Sequence, residues 1–294
     1  MTRRRFDPLV VFGVPAAGGG LVLPTLGDTW FVNGGHTGQF GRGTDFDHPL
    51  ATIQAAHDGA AAGDLIMVAP YEYDEDVIVT KSKLTLLGCG PRGSIRITGT
   101  AAGTATAMTM TGTQDCGLYN LNLEGRTGGS GLKVTGQTRR LEIKGTKIGG
   151  NDQAILLDVP AGSQFVDVRV DDCVVADAAI GINVDYSGGD PGHKLVVRKT
   201  LFQKITTDCI KENGATHDYA IYGNIFAAND GTEPTRFLDI DETGTTGFVS
   251  DNSFHTTLLA ASKFAIAAGV LWVNNKVQAE LPGLAAYGTN GRPD

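Results

Sequence analysis

Residues Pro49 to Leu87 read PLATIQAAHDGAAAGDLIMVAPYEYDEDVIVTKSKLTLL, and the change of period inside this stretch decides the fold. Apolar residues at Leu50, Ile53, Ala56 and Ala60 give a short helix one apolar face, and Pro49 marks its start. Gly63 and Asp64 then break the helix. Three short β-rich runs follow at Leu65 to Val68, Val77 to Val79 and Leu84 to Leu87, separated by polar or turn residues. A short amphipathic helix leading into closely spaced strands is what a β-solenoid needs at its open end. Without it the first coil would expose both its apolar interior and its strand edge.

Beyond this stretch the chain repeats itself. A β-run, a small or polar turn and an apolar residue recur as LYNLNL, LEIKGTKI, VRVDDCVV, LVVRKTLF, AIYGNIF, FVSDNSF and LWVNNKV. Aligned on Leu121, Thr146, Asp172, Thr200, Asn224, Asn252 and Asn275, these boxes step by 25, 26, 28, 24, 28 and 23 residues. A second marker keeps the same beat: Leu132, Ile155, Ile182, Ile210, Leu238 and Ile266 lie 23, 27, 28, 28 and 28 residues apart. Two markers in one period mean at least two strands at fixed places in each coil. Nine or ten coils stacked at about 4.8 Å would make a rod roughly 45 to 50 Å long. Asn224, Asn252 and Asn275 fall in the turn register, where Asn adopts left-handed backbone and ladders with the neighbouring coil.

The order PLATIQAA, AGD, IMVAPYEYDEDV and LTLLGCGPRG between Pro49 and Gly93 resembles the opening segment of the right-handed parallel β-helix proteins of the pectin-lyase-like superfamily. Tyr71 departs from that pattern, standing where a glycine usually follows the proline. The resemblance implies an all-β, single-stranded right-handed parallel β-helix with an N-terminal capping helix. It says little about function, because the superfamily holds lyases, hydrolases, phage tailspikes and virion proteins without known chemistry. The expected organisation is an extended arm over 1–27, an opening strand, glycine-rich loop and capping helix over 28–63, a β-helix over 64–280 and a tail over 281–294.

The chain has 294 residues, 41 of them glycine against 11 prolines, which favours many tight turns over Pro-rich disorder. Charged residues make up 19 % and the net charge is −8, and the only concentrated basic patch is Arg3 to Arg5, so no nucleic-acid partner is indicated. No apolar run is long enough to span a bilayer. Cys89, Cys116, Cys173 and Cys209 are scattered without CxxC pairing and read as buried thiols rather than a zinc site or disulfide framework.

Met1 to Gly27 differs from the rest. TRRRF resembles the start of a twin-arginine export signal, but Asp7 and Pro8 interrupt the run behind it at once. With Pro8, Pro15, Pro24 and three successive glycines the segment cannot form a regular helix, and it is too apolar to stay solvated. It reads as an arm that docks through Arg3, Arg4, Arg5, Phe6, Leu9, Val10, Phe12, Leu21 and Leu23.

Polysaccharide hydrolysis on this fold needs carboxylates converging on one face. Asn151 and Asp152, Asp171 and Asp172, and Gly192 and His193 resemble in order the NTD, DD and GHG boxes of polygalacturonases. The repeat register places Asp152 and Asp172 at different corners of the coil, and Lys194 replaces the last glycine of the third box. Two acidic runs, Asp74 to Asp76 and Asp239, Asp241 and Glu242, could bind Ca²⁺, but neither shows a basic partner in register, and solvated acidic turns are commoner than sites. His36, Asp45, Asp47 and His48 share the glycine-rich loop without fixed ligand spacing. No catalytic residue, metal ligand or cofactor site is assigned on this reading.

The expectation is therefore a non-enzymatic structural protein of a phage virion, a head decoration or short spike held by its arm. Its partners would be itself, as a homotrimer, and capsid or tail proteins, with a host surface glycan as a further partner. The alternative is a polysaccharide-cleaving lyase or hydrolase, or a depolymerising tailspike. A third reading is a β-helix that binds carbohydrate without cutting it.

Overall fold

The computed structural model describes residues 27–100, 105–163, 165–186, 193–214, 217–228, 233–256 and 261–279. The expected docking residues Arg3, Arg4, Arg5, Phe6, Leu9, Val10, Phe12, Leu21 and Leu23, and the tail over 281–294, lie outside them.

The helix spans Ile53–Gly59 and buries Ile53, Ala56 and His57. It starts later than Pro49 because Thr52 is its N-cap, the hydroxyl accepting from Ala55 N at 3.2 Å. Both helix ends are tied to the coil that follows. Glu75 accepts from the backbone amides of Ile53 and Gln54 at 2.8 and 3.0 Å, and Lys81 Nζ donates to the carbonyls of His57, Asp58 and Ala60 at 2.6 to 2.7 Å. The acid at the N-terminus and the cation at the C-terminus both suit the helix dipole, so the plug is fastened at each end.

Among the described residues the strands form two parallel sheets in a right-handed solenoid. Ten strands make the first sheet, from Thr29–Val32 through Leu65–Val68, Thr85–Gly88 and Gln114–Tyr119 to Gly269–Val273. The first sheet therefore begins ahead of the helix, since Thr29–Val32 pairs in parallel with Leu65–Val68. The second sheet bends into two faces: one runs from Tyr71–Asp74 to Lys276–Ala279, the other from Val77–Val79 to Phe264–Ile266. Two long strands, Val174–Tyr186 and Leu201–Asn213, cross the bend and belong to both faces. Tyr71–Asp74, unread in the sequence, fills the place where the resemblance expects glycine.

The corner between the two sheets is two residues wide, and its two positions have different jobs. Asn120, Gly145, Asp172, Lys199, Gly223, Asp251 and Asn274 take the outer position with φ between 50° and 64°. Each is followed by a buried corner residue: Leu121, Thr146, Cys173, Thr200, Asn224, Asn252 and Asn275. The sequence reading puts Asp172 in that inner stack, and the structure corrects it by one residue. Thr146 precedes Lys147, which pairs with Val174, so Cys173 is its partner. Cys173 Sγ lies 3.2 Å from the Asp171 carbonyl, while Asp172 faces solvent beside Arg92 at 3.0 Å. The asparagines ladder as expected, but the left-handed backbone belongs to the residue before each of them.

The second marker holds from Leu132 through Ile155, Ile182 and Ile210 to Leu238. Its last member is Phe264, and Ile266 pairs with Ile240 instead. Inside, one contiguous apolar cluster runs along the coils. Phe202, Phe226 and Phe254 stack on successive coils with centroids 4.6 Å apart at each step and interplanar angles of 9° and 13°. Cys116, Cys173 and Cys209 are buried free thiols, and burial pushes the Cys209 thiol well above its ordinary pKa.

Candidate functional site

The face containing Gln153–Val159, the second halves of Val174–Tyr186 and Leu201–Asn213, and Arg236–Ile240 concentrates polar side chains where its pleat points outward. Asp208 is the register partner of Arg236, and Lys211 of Asp239. Two charge pairs of opposite sign thus stand side by side on adjacent coils.

Arg236 joins them. Its Nη1 lies 2.6 Å from Asp239 Oδ1, and its Nε lies 3.3 Å from Asp208 Oδ1. One guanidinium therefore bridges the two carboxyl groups and keeps them neighbours on this face. The Asp208 side chain is 2 % exposed and that of Asp239 8 %, whereas Arg236 at 36 % meets solvent. Asp208 Oδ1 is buried without a well-aligned hydrogen bond.

Burial pushes both carboxyls above the usual aspartate range, and Arg236 pulls each partly back. Directly behind them, Glu212 occupies the inward column of Val134, Leu157, Val184 and Ile240. Burial raises its carboxyl to about 8, against a hydrogen bond to Thr245 Oγ1 at 2.9 Å, and nearby Glu242, Asp241 and Asp239 raise it further. Two further features extend the face across neighbouring coils. Asn213 Nδ2 donates to Asn183 at 3.3 Å and Asn183 Nδ2 to Gln153 at 3.2 Å, while Lys133 and Asp158 pair at 2.8 Å.

The acidic runs divide. In the first, Glu75 caps the helix, Asp74 pairs with Arg126 at 2.9 Å and Asp76 accepts from Thr100 N at 2.7 Å, all structural uses. In the second, Asp239 belongs to the cluster. Both runs have basic partners after all. Lys211 and Arg236 were legible in the second marker itself, because pairing Ile210 with Leu238 sets Lys211 on Asp239 and Asp208 on Arg236.

Asp152 lies in the turn before Gln153–Val159 and Asp172 at the two-residue corner, so the two are not brought together. Gly192 lies outside the described residues. In the glycine-rich loop His48 Nδ1 and Asp45 Oδ1 are 3.0 Å apart, both exposed. Among the described residues no group of three or more His, Cys, Asp or Glu side chains is placed to hold a metal ion.

No family model matches this sequence, and no curated protein matches it. Solved structures do. Pectate lyase Pel9A superposes with a TM-score of 0.58 at 11 % identity, over 86 % of this chain and 76 % of that one. Escherichia coli YbhC gives 0.56 at 14 % identity, over 92 % and 82 %. The pectin methylesterase from Aspergillus niger gives 0.53 at 13 % identity, over 90 % and 92 %. At such identities the likeness establishes the fold and no more: this chain is a right-handed parallel β-helix.

Proposed function

We propose that this protein hydrolyses a bond in a carbohydrate polymer laid along the face that carries Asp208, Arg236 and Asp239. The observation that carries the reading is one guanidinium holding two covered carboxyl groups at the surface of a lateral sheet. Hydrolysis of a glycoside or a sugar ester needs one carboxyl that gives a proton and one that stays ionised. Arg236 approaches Asp239 more closely than Asp208, so Asp239 is the better-stabilised anion, serving as base or nucleophile. Asp208, with its poorly aligned bond and deeper burial, is the proton donor. Lys211 and the Gln153, Asn183 and Asn213 chain offer donors and acceptors to a polar substrate on the neighbouring coils.

Solved structures of the same fold named for pectate lyase and pectin methylesterase favour a polysaccharide-active protein, lyase or hydrolase, over a non-enzymatic virion role. The virion reading rests on the 1–27 arm, of which residues 1–26 lie outside the described residues.

The test is turnover. The purified chain is incubated with methyl-esterified and de-esterified pectin and with alginate, while reducing ends, released methanol and ultraviolet-absorbing unsaturated ends are followed. New reducing ends or methanol, lost at least a hundredfold in Asp208→Asn and Asp239→Asn, is the expected result. Unsaturated ends would mean elimination and sink the hydrolytic assignment, as would full activity in either variant.

A further inference from the structure

The ten-stranded sheet carries a second polar hollow, built from residues that the carboxyl cluster does not use. Arg169, Val196, Ala220 and Phe248 are register partners on four successive coils. Val196 and Ala220 are small and form a floor. Arg169 and Phe248 rise at its two ends, roughly 14 Å apart at about 4.8 Å per coil. Lys194 borders one side and Arg198 and Tyr222 the other, enclosing about 270 Å³.

The chemistry of this lining is selective. Among the described residues three cations and no carboxylate line the hollow, in a chain whose net charge is −8. Two of the cations are braced from their flanks. Arg169 donates through Nε and Nη2 to Asp167 at 2.8 and 2.7 Å, and Arg198 Nη2 to Asp171 at 2.8 Å. Lys194 is exposed. Phe248 is 39 % exposed, and its ring centroid lies 5.8 Å from that of Tyr222 at 31°. Leu271, its register partner on the next coil, is 62 % exposed, so the apolar strip continues past the hollow.

We propose that this hollow binds a carboxylated oligosaccharide, with a uronate carboxylate against Lys194 and the two arginines and a sugar-ring face against Phe248 and Tyr222. A small inorganic anion would use the cations and leave the rings idle. A neutral sugar would use the rings and leave the cations idle. A nucleic acid needs a basic track rather than one hollow on an acidic protein. One or two sugar residues fit between the end walls. The assignment concerns binding on the first sheet and does not require turnover at Asp208.

Isothermal titration of the full chain with trigalacturonate at low salt tests it, with maltotriose and sodium sulfate as controls. The expected result is binding of trigalacturonate alone, weakened at least tenfold in Lys194→Glu and in Phe248→Ala at unchanged melting temperature, and retained in Asp208→Asn. Should Phe248→Ala unfold, Lys194→Glu alone decides, since that side chain is exposed. No binding at millimolar ligand overturns the proposal. So does binding indifferent to Lys194→Glu, or equal binding of maltotriose or sulfate. Binding lost only in Asp208→Asn would move the sugar to the other face and overturn it too. Turnover is read separately, so a failed hydrolytic assignment leaves this outcome intact.

Discussion

Asp208 and Arg236 hold one position on successive coils, 28 residues apart in sequence and 3.3 Å apart in space. A buried carboxylate without a cation is costly, and here the same cation also serves Asp239. Arg236→Gln should therefore lift both carboxyl pKa values further. A carboxyl whose folded pKa is raised contributes stability at low pH and loses it as pH rises through the folded value. Urea unfolding should show a loss of about 3 kcal/mol at pH 7 and much less at pH 4. An equal loss at both pH values would mean that Arg236 acts through packing alone.

Glu212 allows a cleaner pH experiment. Its folded-state carboxyl sits at about 8, raised chiefly by burial, against an ordinary value of 4.5. Between those limits the unfolded chain releases a proton that the folded chain keeps, so stability falls as pH rises and levels off above about 8. Glu212→Gln keeps the shape and the partner Thr245 but removes the titration. The variant should match the parent near pH 4.5 and exceed it by about 3 to 5 kcal/mol at pH 9. Parallel melting curves for the two proteins across this range would show that Glu212 is ionised inside the fold.

Most of the fold was legible because solenoid coils repeat their constraints. The marker Leu132, Ile155, Ile182, Ile210 and Leu238 is an inward column, and each member must be apolar, so the beat survives insertions elsewhere. The corner was misread by one residue at Asp172 because a buried thiol, Cys173, replaces the polar residue found in most coils there. Tyr71–Asp74 was missed because its burial alternates only once, at Tyr73, between acidic neighbours. The candidate site was less legible. Asp208, Lys211 and Arg236 carry no motif, and they become a cluster only when one strand is laid on the next in register. Sugar-box resemblances drew attention to Asp152 and Asp172, and the repeat register alone was enough to set those two at different corners of the coil.

The helix plug is a second place where long-range pairing matters more than local propensity. Seven residues are too few for an independent helix, so Ile53–Gly59 depends on its caps and its buried face. Glu75 supplies two charge-assisted hydrogen bonds from 21 and 22 residues away. Glu75→Ala should cost about 2 kcal/mol in denaturant unfolding and should open Ile53–Gly59 to hydrogen exchange ahead of the later coils. Thr52→Ala, which loses one neutral bond, should cost about 1 kcal/mol. A larger loss at Thr52 than at Glu75 would reverse the assignment of the principal cap.

The asparagine ladder gives the sharpest stability prediction, because every atom of its central member is used. Asn252 Oδ1 accepts from both the backbone N and the Nδ2 of Asn224 at 2.9 Å, while Asn252 Nδ2 donates to the Ile221 carbonyl at 3.0 Å and to Asn275 Oδ1 at 2.8 Å. The side chain is buried, so no water stands ready to replace those bonds. Asn252→Ala strands the Asn224 backbone amide and a carbonyl on the coil before it, and each buried orphan costs about 1 to 3 kcal/mol. The total should be about 4 kcal/mol, and Asn275→Ala, which strands the Asn252 backbone amide and the Val249 carbonyl in the same way, should cost about as much. Asn252→Asp keeps both acceptor bonds but turns the two donated bonds into repulsions with carbonyl oxygens, and a buried charge is added. It should therefore be no better than alanine at pH 7 and should recover part of the loss at pH 4, when the acid can donate again. Guanidinium unfolding of the three variants at both pH values checks the order. If Asn252→Ala unfolded at the parent's midpoint, the corner ladder would be ornamental and the stacked Phe202, Phe226 and Phe254 beside it would have to hold the coils in register on their own.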